Sequence, residues 1–93
     1  MPYKLFFGRA AHDDLEALRK GNKQDYIKSF DLILAVLRDA RKGIGKPERL
    51  KHTVENLEIF SRRISEKDRL VYMIDEETET IEILSVKGHY DDK

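Results

Sequence analysis

Ile59-Phe60-Ser61-Arg62-Arg63-Ile64 and Arg69-Leu70-Val71-Tyr72-Met73-Ile74 flank the polar run Ser65-Glu66-Lys67-Asp68. Both flanks are rich in β-branched and aromatic residues and the run between them has turn composition, so the stretch predicts a β-hairpin. The length of the turn decides which arginine lies beside Arg69. A four-residue turn sets Ile64 opposite Arg69 and puts Arg62 on its side of the sheet; a five-residue turn pairs Arg63 with Arg69 directly. Downstream, Asp75-Glu76-Glu77-Thr78 makes the next turn and Thr80 to Val86 the last strand. Ile81 and Ile83 alternate with Glu82, whereas Leu84 and Val86 fall on the other face. A strand apolar on both sides belongs in the middle of a sheet covered by helices.

Upstream of the hairpin the period changes. Tyr3-Lys4-Leu5-Phe6-Phe7 reads as a short strand. Ala11, Leu15 and Leu18 recur at i, i+4 and i+7, which predicts a helix over 9–20. Gly21-Asn22 breaks it, and Asn22 can cap a second helix. Tyr26, Ile27, Phe30, Ile33, Leu34 and Leu37 form a 3.6-period stripe over 23–41, with an end expected near Lys42-Gly43, where glycine accepts the left-handed conformation. Gly45 and Pro47 mark a loop, and 48–54 is a candidate short strand. The order is β-α-α-β-β-β-β. Helices grouped early and strands grouped late predict an α+β fold, with two N-terminal helices packed on an antiparallel-rich sheet.

The 93 residues are read as one domain, 1–93, because two independent cores would not fit. Apolar residues make up 40% and charged residues 39%, which predicts a small core under a highly charged surface. There is no cysteine, so disulfide scaffolds, cysteine-ligated zinc and thiol nucleophiles are excluded. No apolar run approaches the roughly 18 residues of a membrane span, and Met1 to Phe7 does not have the make-up of a secretory signal. The expectation is a soluble cytoplasmic protein with no membrane association. Net charge is zero but uneven: residues 38–63 carry +4 and residues 64–93 carry −5. The basic block of Arg38, Arg41, Lys42, Lys46, Arg49, Lys51, Arg62 and Arg63 can form a positive surface or simply a solvated face.

Motif-borne chemistry is sparse. There is no HExxH, no calcium loop and no phosphate-cradling glycine loop, and none of the four serines sits in a nucleophile elbow. No metal or cofactor is expected. His12 and His52 read as surface residues. His89 stands between Gly88 and Tyr90, where the last strand opens into the tail.

Four blocks occur in order: Gly45-Lys46-Pro47-Glu48-Arg49-Leu50-Lys51, Ser61-Arg62-Arg63-Ile64, Asp68-Arg69-Leu70-Val71-Tyr72 and Gly88-His89-Tyr90. Together they resemble the YoeB/Txe branch of the RelE toxin superfamily, the mRNA-cleaving toxins of bacterial toxin–antitoxin pairs. The resemblance spans residues 45–90; the first half matches in layout, a strand followed by two helices. In that branch the chain usually ends at the His-Tyr pair, often after another tyrosine. Here Gly88 takes that place and Asp91-Asp92-Lys93 follow.

The resemblance implies a RelE-like fold and a ribosome-dependent endoribonuclease that cleaves mRNA in the A site and so inhibits translation. It assigns Glu48 as general base, His89 as general acid, Arg69 to the scissile phosphate and Tyr90 to orienting the substrate or assisting proton transfer. It favours Arg63 over Arg62 as a substrate binder, and Lys51 alternates suitably to face an anion near Glu48. RNA carries its own nucleophile, the 2′-hydroxyl, so base, acid and fixed positive charge suffice without a metal. The implied partners are an Axe/YefM-like antitoxin, the ribosome with its mRNA, and, as an open option, a second copy in a homodimer. Two other readings remain open on sequence: a non-enzymatic toxin of the same fold that binds DNA gyrase, and an inactive antitoxin-binding or regulatory module.

Overall fold

A computed structural model describes residues 3–50 and 57–88. The elements are β1 (Lys4–Phe7), α1 (Arg9–Gly21), α2 (Lys23–Arg38), β2 (Glu48–Arg49), β3 (Leu57–Arg63), β4 (Arg69–Asp75) and β5 (Thr80–Gly88). This is the order expected from the sequence. The five strands form one sheet in the order β1-β5-β4-β3-β2. β1 runs parallel to β5, and every other neighbouring pair is antiparallel. Residues 51–54 of the expected 48–54 strand lie outside the described residues.

Alternation sorts the side chains of the sheet. Phe60, Leu70, Tyr72, Ile74, Ile81 and Ile83 point to one face and join Ala11, Leu18, Leu32, Ile33 and Val36 of the helices in a buried core. Release of this apolar surface from water is the main force holding helices to sheet. Asn22 caps α2 as expected: its side chain accepts a hydrogen bond from the Asp25 N–H at 3.1 Å. The C-terminal end of α2 differs from expectation. The helix stops at Arg38, because Asp39 is extended (φ −153°) and its carboxylate accepts from the Arg41 N–H at 3.1 Å. Gly43, with φ +126°, serves the loop beyond rather than the helix end.

β5 also differs from the two-sided strand expected. Tyr72 pairs with Ile83 but Val71 pairs with Ser85, so Leu84 is an extra residue, a β-bulge. The bulge flips the alternation and returns Val86 to the core face beside Ile81 and Ile83, all three fully buried. Asp14 of α1 accepts from the Val86 N–H at 3.0 Å and the Lys87 N–H at 3.3 Å, satisfying amides at the irregular end of the strand.

Candidate active site

The hairpin of β3 and β4 closes on five residues, and Arg63 pairs with Arg69. Ser65 fixes the turn: its hydroxyl accepts from the Asp68 N–H at 3.1 Å, and the Ile64 N–H donates to the Asp68 carbonyl at 2.9 Å. Arg63 therefore lies on the same sheet face as Arg69, opposite the helices, and Arg62 on the helix side. β2 contributes Glu48, which pairs with Ser61 and so shares the face of Arg63 and Arg69. Glu48 Oε1 lies 3.7 Å from Arg69 Nη1, with the carboxylate well exposed and the guanidinium more than a third exposed.

Two cross-strand rows build this surface. Glu48, Ser61, Val71 and Ser85 form one; Arg63, Arg69 and Gly88 form the next. Directly opposed like charges repel, since facing side chains start only about 5 Å apart. Arg63 and Arg69 therefore make a local positive potential, which the single carboxylate of Glu48 offsets only in part. Such a pair favours an anion between or above the guanidinium groups. Ser61 is buried on this face, and its hydroxyl has no hydrogen-bond partner among the described residues. Of the other residues singled out by sequence, Lys51, His89 and Tyr90 lie outside the described residues. Gly88, the residue before His89, ends β5 opposite Arg69.

What holds Glu48 in place comes from the opposite side of the sheet. Arg62 is fully buried. Its guanidinium donates to the carbonyls of Asp39 (2.7 Å), Lys42 (3.0 Å) and Ile44 (3.1 Å), and its Nε to the Tyr72 hydroxyl (3.1 Å). The Tyr72 hydroxyl in turn donates to the Ala40 carbonyl at 2.6 Å. Burial pushes the Tyr72 phenol above its ordinary pKa. One planar fork thus gathers the loop between α2 and β2, the segment that delivers Glu48. The loop also needs Gly45, which has φ +86° and sits so close that a Cβ there would lie 2.7 Å from Leu32 Cδ2 and 3.0 Å from Arg62 Cβ. The Gly45 carbonyl accepts from the Arg63 N–H at 2.7 Å, which ties the loop to the site's own strand.

Sequence reasoning missed Arg62 as the fastener of this loop and Asp14 as the anchor of β5. An arginine inside an apolar strand, two residues from Phe60 on the same face, was the available signal for the first. The second had no local signal, because the bulge amides it meets are more than seventy residues away.

The family model for YoeB-like toxins of bacterial type II toxin–antitoxin systems matches residues 7–90. The match reaches β1 and both helices as well as the four motif blocks. Toxin YoeB of Escherichia coli (strain K12) is 33% identical over 87 residues, which cover 94% of this chain and 99% of that protein. Among solved structures, a YoeB dimer from Staphylococcus aureus is similar with a TM-score of 0.80 at 34% identity, over 97% of this chain and 100% of that one. A YoeB–YefM complex from the same organism gives 0.77 at 34% identity with the same coverage. With the helices on one sheet face and Glu48, Arg63 and Arg69 on the other, the chain belongs to the family of YoeB-like toxins of type II toxin–antitoxin systems.

Proposed function

We propose that this toxin is an endoribonuclease that cleaves mRNA in the ribosomal A site, without a metal ion, and acts in the cytoplasm where translation proceeds. The observation that carries the reading is the convergence of Glu48, Arg69 and Arg63 on one face, with the carboxylate 3.7 Å from the Arg69 guanidinium. Glu48 takes the proton of the RNA 2′-hydroxyl. The 2′ oxygen attacks the adjacent phosphorus, and the bond to the leaving 5′ oxygen breaks as that oxygen receives a proton from His89. The products are a 2′,3′-cyclic phosphate and a free 5′-hydroxyl, and atoms and charge balance. Charge grows on the non-bridging oxygens as the phosphorus becomes five-coordinate. Arg69 and Arg63 supply fixed positive charge there, because a guanidinium does not lose its proton at physiological pH. Tyr90 orients the substrate and Lys51 adds a further phosphate contact.

A small chain whose site brings together Glu48 and two or three cations has little surface to grip a long RNA. A site shared with the ribosome supplies the rest, and the basic segment 38–63, apart from the buried Arg62 and the ion-paired Arg41, is the part of the chain suited to ribosomal RNA. An Axe/YefM-like antitoxin is the cognate partner, as YefM is in the S. aureus complex, and a homodimer is the second assembly, after the S. aureus dimer. The test is inducible expression in bacteria of the wild type, Glu48→Gln and His89→Gln. Growth arrest with mRNA cuts at codon positions, abolished in both variants, is the expected result. Arrest that persists in both, or a DNA-damage response with intact mRNA, overturns the reading.

A further inference from the structure

Ser29, Ser61 and Arg62 carry buried polar side chains. Two of them are engaged within the fold. The Ser29 hydroxyl donates to the Asp25 carbonyl at 2.7 Å, and the Arg62 guanidinium fastens the loop before β2. Ser61 is 1% exposed, and its hydroxyl has no partner among the described residues. A buried hydroxyl left unpaired lowers stability, so one that persists on the face of a site points to a task outside the resting fold.

The register names the side chains that flank it. On the sheet face of Ser61, Glu48 stands opposite on β2 and Val71 opposite on β4. Ile59 and Arg63 lie on the same face along β3. Isoleucine and valine have no polar side-chain atom, and a guanidinium only donates. Of these four side chains Glu48 alone carries an acceptor. Opposed side chains on neighbouring strands start about 5 Å apart, a gap that a glutamate spans. In the resting site the carboxylate is turned elsewhere, with Oε1 3.7 Å from Arg69 Nη1.

Substrate changes that arrangement. A phosphate on the Arg69 guanidinium competes with the Glu48 carboxylate for the same donors. Arg63, paired with Arg69, faces the same phosphate. A general base has to lie within hydrogen-bond reach of the proton it takes, so the carboxylate needs a second hold once Arg69 is engaged. We propose that Ser61 is a positioning residue for the cleavage reaction: as the phosphate engages Arg69, the Ser61 hydroxyl donates to one oxygen of the Glu48 carboxylate and leaves the other aimed at the RNA 2′-hydroxyl. Ser61 itself does not touch the RNA. The inference rests on Glu48 acting as the base and adds the group that orients it.

Ser61→Ala removes only the hydroxyl oxygen, and its effects on stability and on cutting are expected to part company. Losing an unpaired buried hydroxyl leaves Tm within about 4 °C of wild type or raises it by up to about 8 °C. In single-turnover cleavage of mRNA on ribosomes with a defined A-site codon, the rate at saturating toxin falls about tenfold or more. The toxin concentration giving half the maximal rate moves by less than about twofold, because Ser61 makes no contact with the complex. Ser61→Thr keeps the hydroxyl but adds a buried methyl, so it melts lower than Ser61→Ala and still cuts faster. In a Glu48→Gln background, Ser61→Ala slows cutting by less than about twofold further, since no base is left to aim. A fall in Tm of more than about 4 °C in Ser61→Ala shows that the hydroxyl is used within the fold, and a cutting rate within about twofold of wild type shows that it does not aim the base; either overturns the proposal. A full Ser61→Ala effect that survives in the Glu48→Gln background assigns the hydroxyl to the RNA and also overturns it. Wild-type cutting by Glu48→Gln alone removes the base assignment, and this role with it.

Discussion

Arg62→Met is the most informative single change away from the face that carries Glu48, Arg63 and Arg69. Methionine has similar length and volume but no donors. The substitution leaves the carbonyls of Asp39, Lys42 and Ile44 without the guanidinium and the Tyr72 hydroxyl without its Nε donor. A buried acceptor that loses its donor costs about 1–3 kcal/mol. The loop carbonyls are only partly buried, so water replaces some of the loss and each falls near the lower end. Removing the cation also relieves the desolvation of a fully buried charge, which acts in the opposite direction. The balance is a destabilisation of about 2–4 kcal/mol. For a chain of this size that lowers Tm by roughly 10–25 °C. Thermal melts followed by circular dichroism measure the loss. Limited trypsin digestion locates it, since Arg41 and Lys42 lie within the freed loop and cleavage there should accelerate ahead of global unfolding. Arg62→Lys should recover less than half, because one ammonium cannot span three carbonyls and a hydroxyl as a planar fork does. A melt within about 3 °C of wild type, with unchanged cleavage after Arg41 and Lys42, would show that the loop is held by something else.

Asp14→Ala should cost about 1–2 kcal/mol and speed hydrogen exchange at the Val86 and Lys87 amides specifically; Asp14→Asn, which keeps an acceptor oxygen, should restore most of the protection. The pH profile of stability should fall on both sides. The Tyr72 phenol is raised by burial, so the folded state holds its proton where the unfolded chain releases it, and stability is lost as pH rises above about 10. Tyr72→Phe should flatten that alkaline arm in urea titrations. On the acid side, the hydrogen bonds from Tyr3 and Arg41 hold the Glu76 carboxyl below its ordinary value. Its contribution is present above the unfolded carboxylate range and lost as pH falls through the lower folded value. Glu76→Gln should make stability less sensitive to acid.

The fold was legible where periodicity is strong and local. The alternation of β3 and β4, the buried stripe of α2 and the Asn22 cap each follow from spacing that one element sets by itself. The C-terminal end of α2 was misplaced because Asp39 can stop a helix through its own side chain, and that option competes with the glycine four residues on. The last strand misled because a bulge shifts the period by one, so Val86 sits on the core face while its sequence position places it on the other. Of the site, Glu48 and Arg69 came from the resemblance, not from any local pattern. The choice between Arg62 and Arg63 needed the hairpin register, which depends on how Ser65 and Asp68 close the turn. Arg62 then proved to be the buried fastener beneath the face on which its neighbour stands, a role that only tertiary packing reveals.

In the proposed reaction a carboxylate and two guanidinium groups on one sheet face act on a single phosphodiester. Its most direct measurement is single-turnover cleavage of mRNA on ribosomes programmed with a defined A-site codon, comparing wild type with Glu48→Gln at saturating toxin. Wild type should cut within that codon and leave a 2′,3′-cyclic phosphate, with Glu48→Gln binding the complex as well but cutting about 100-fold more slowly or less. An intact message with wild type, or equal cutting rates for the two proteins, rules that reaction out.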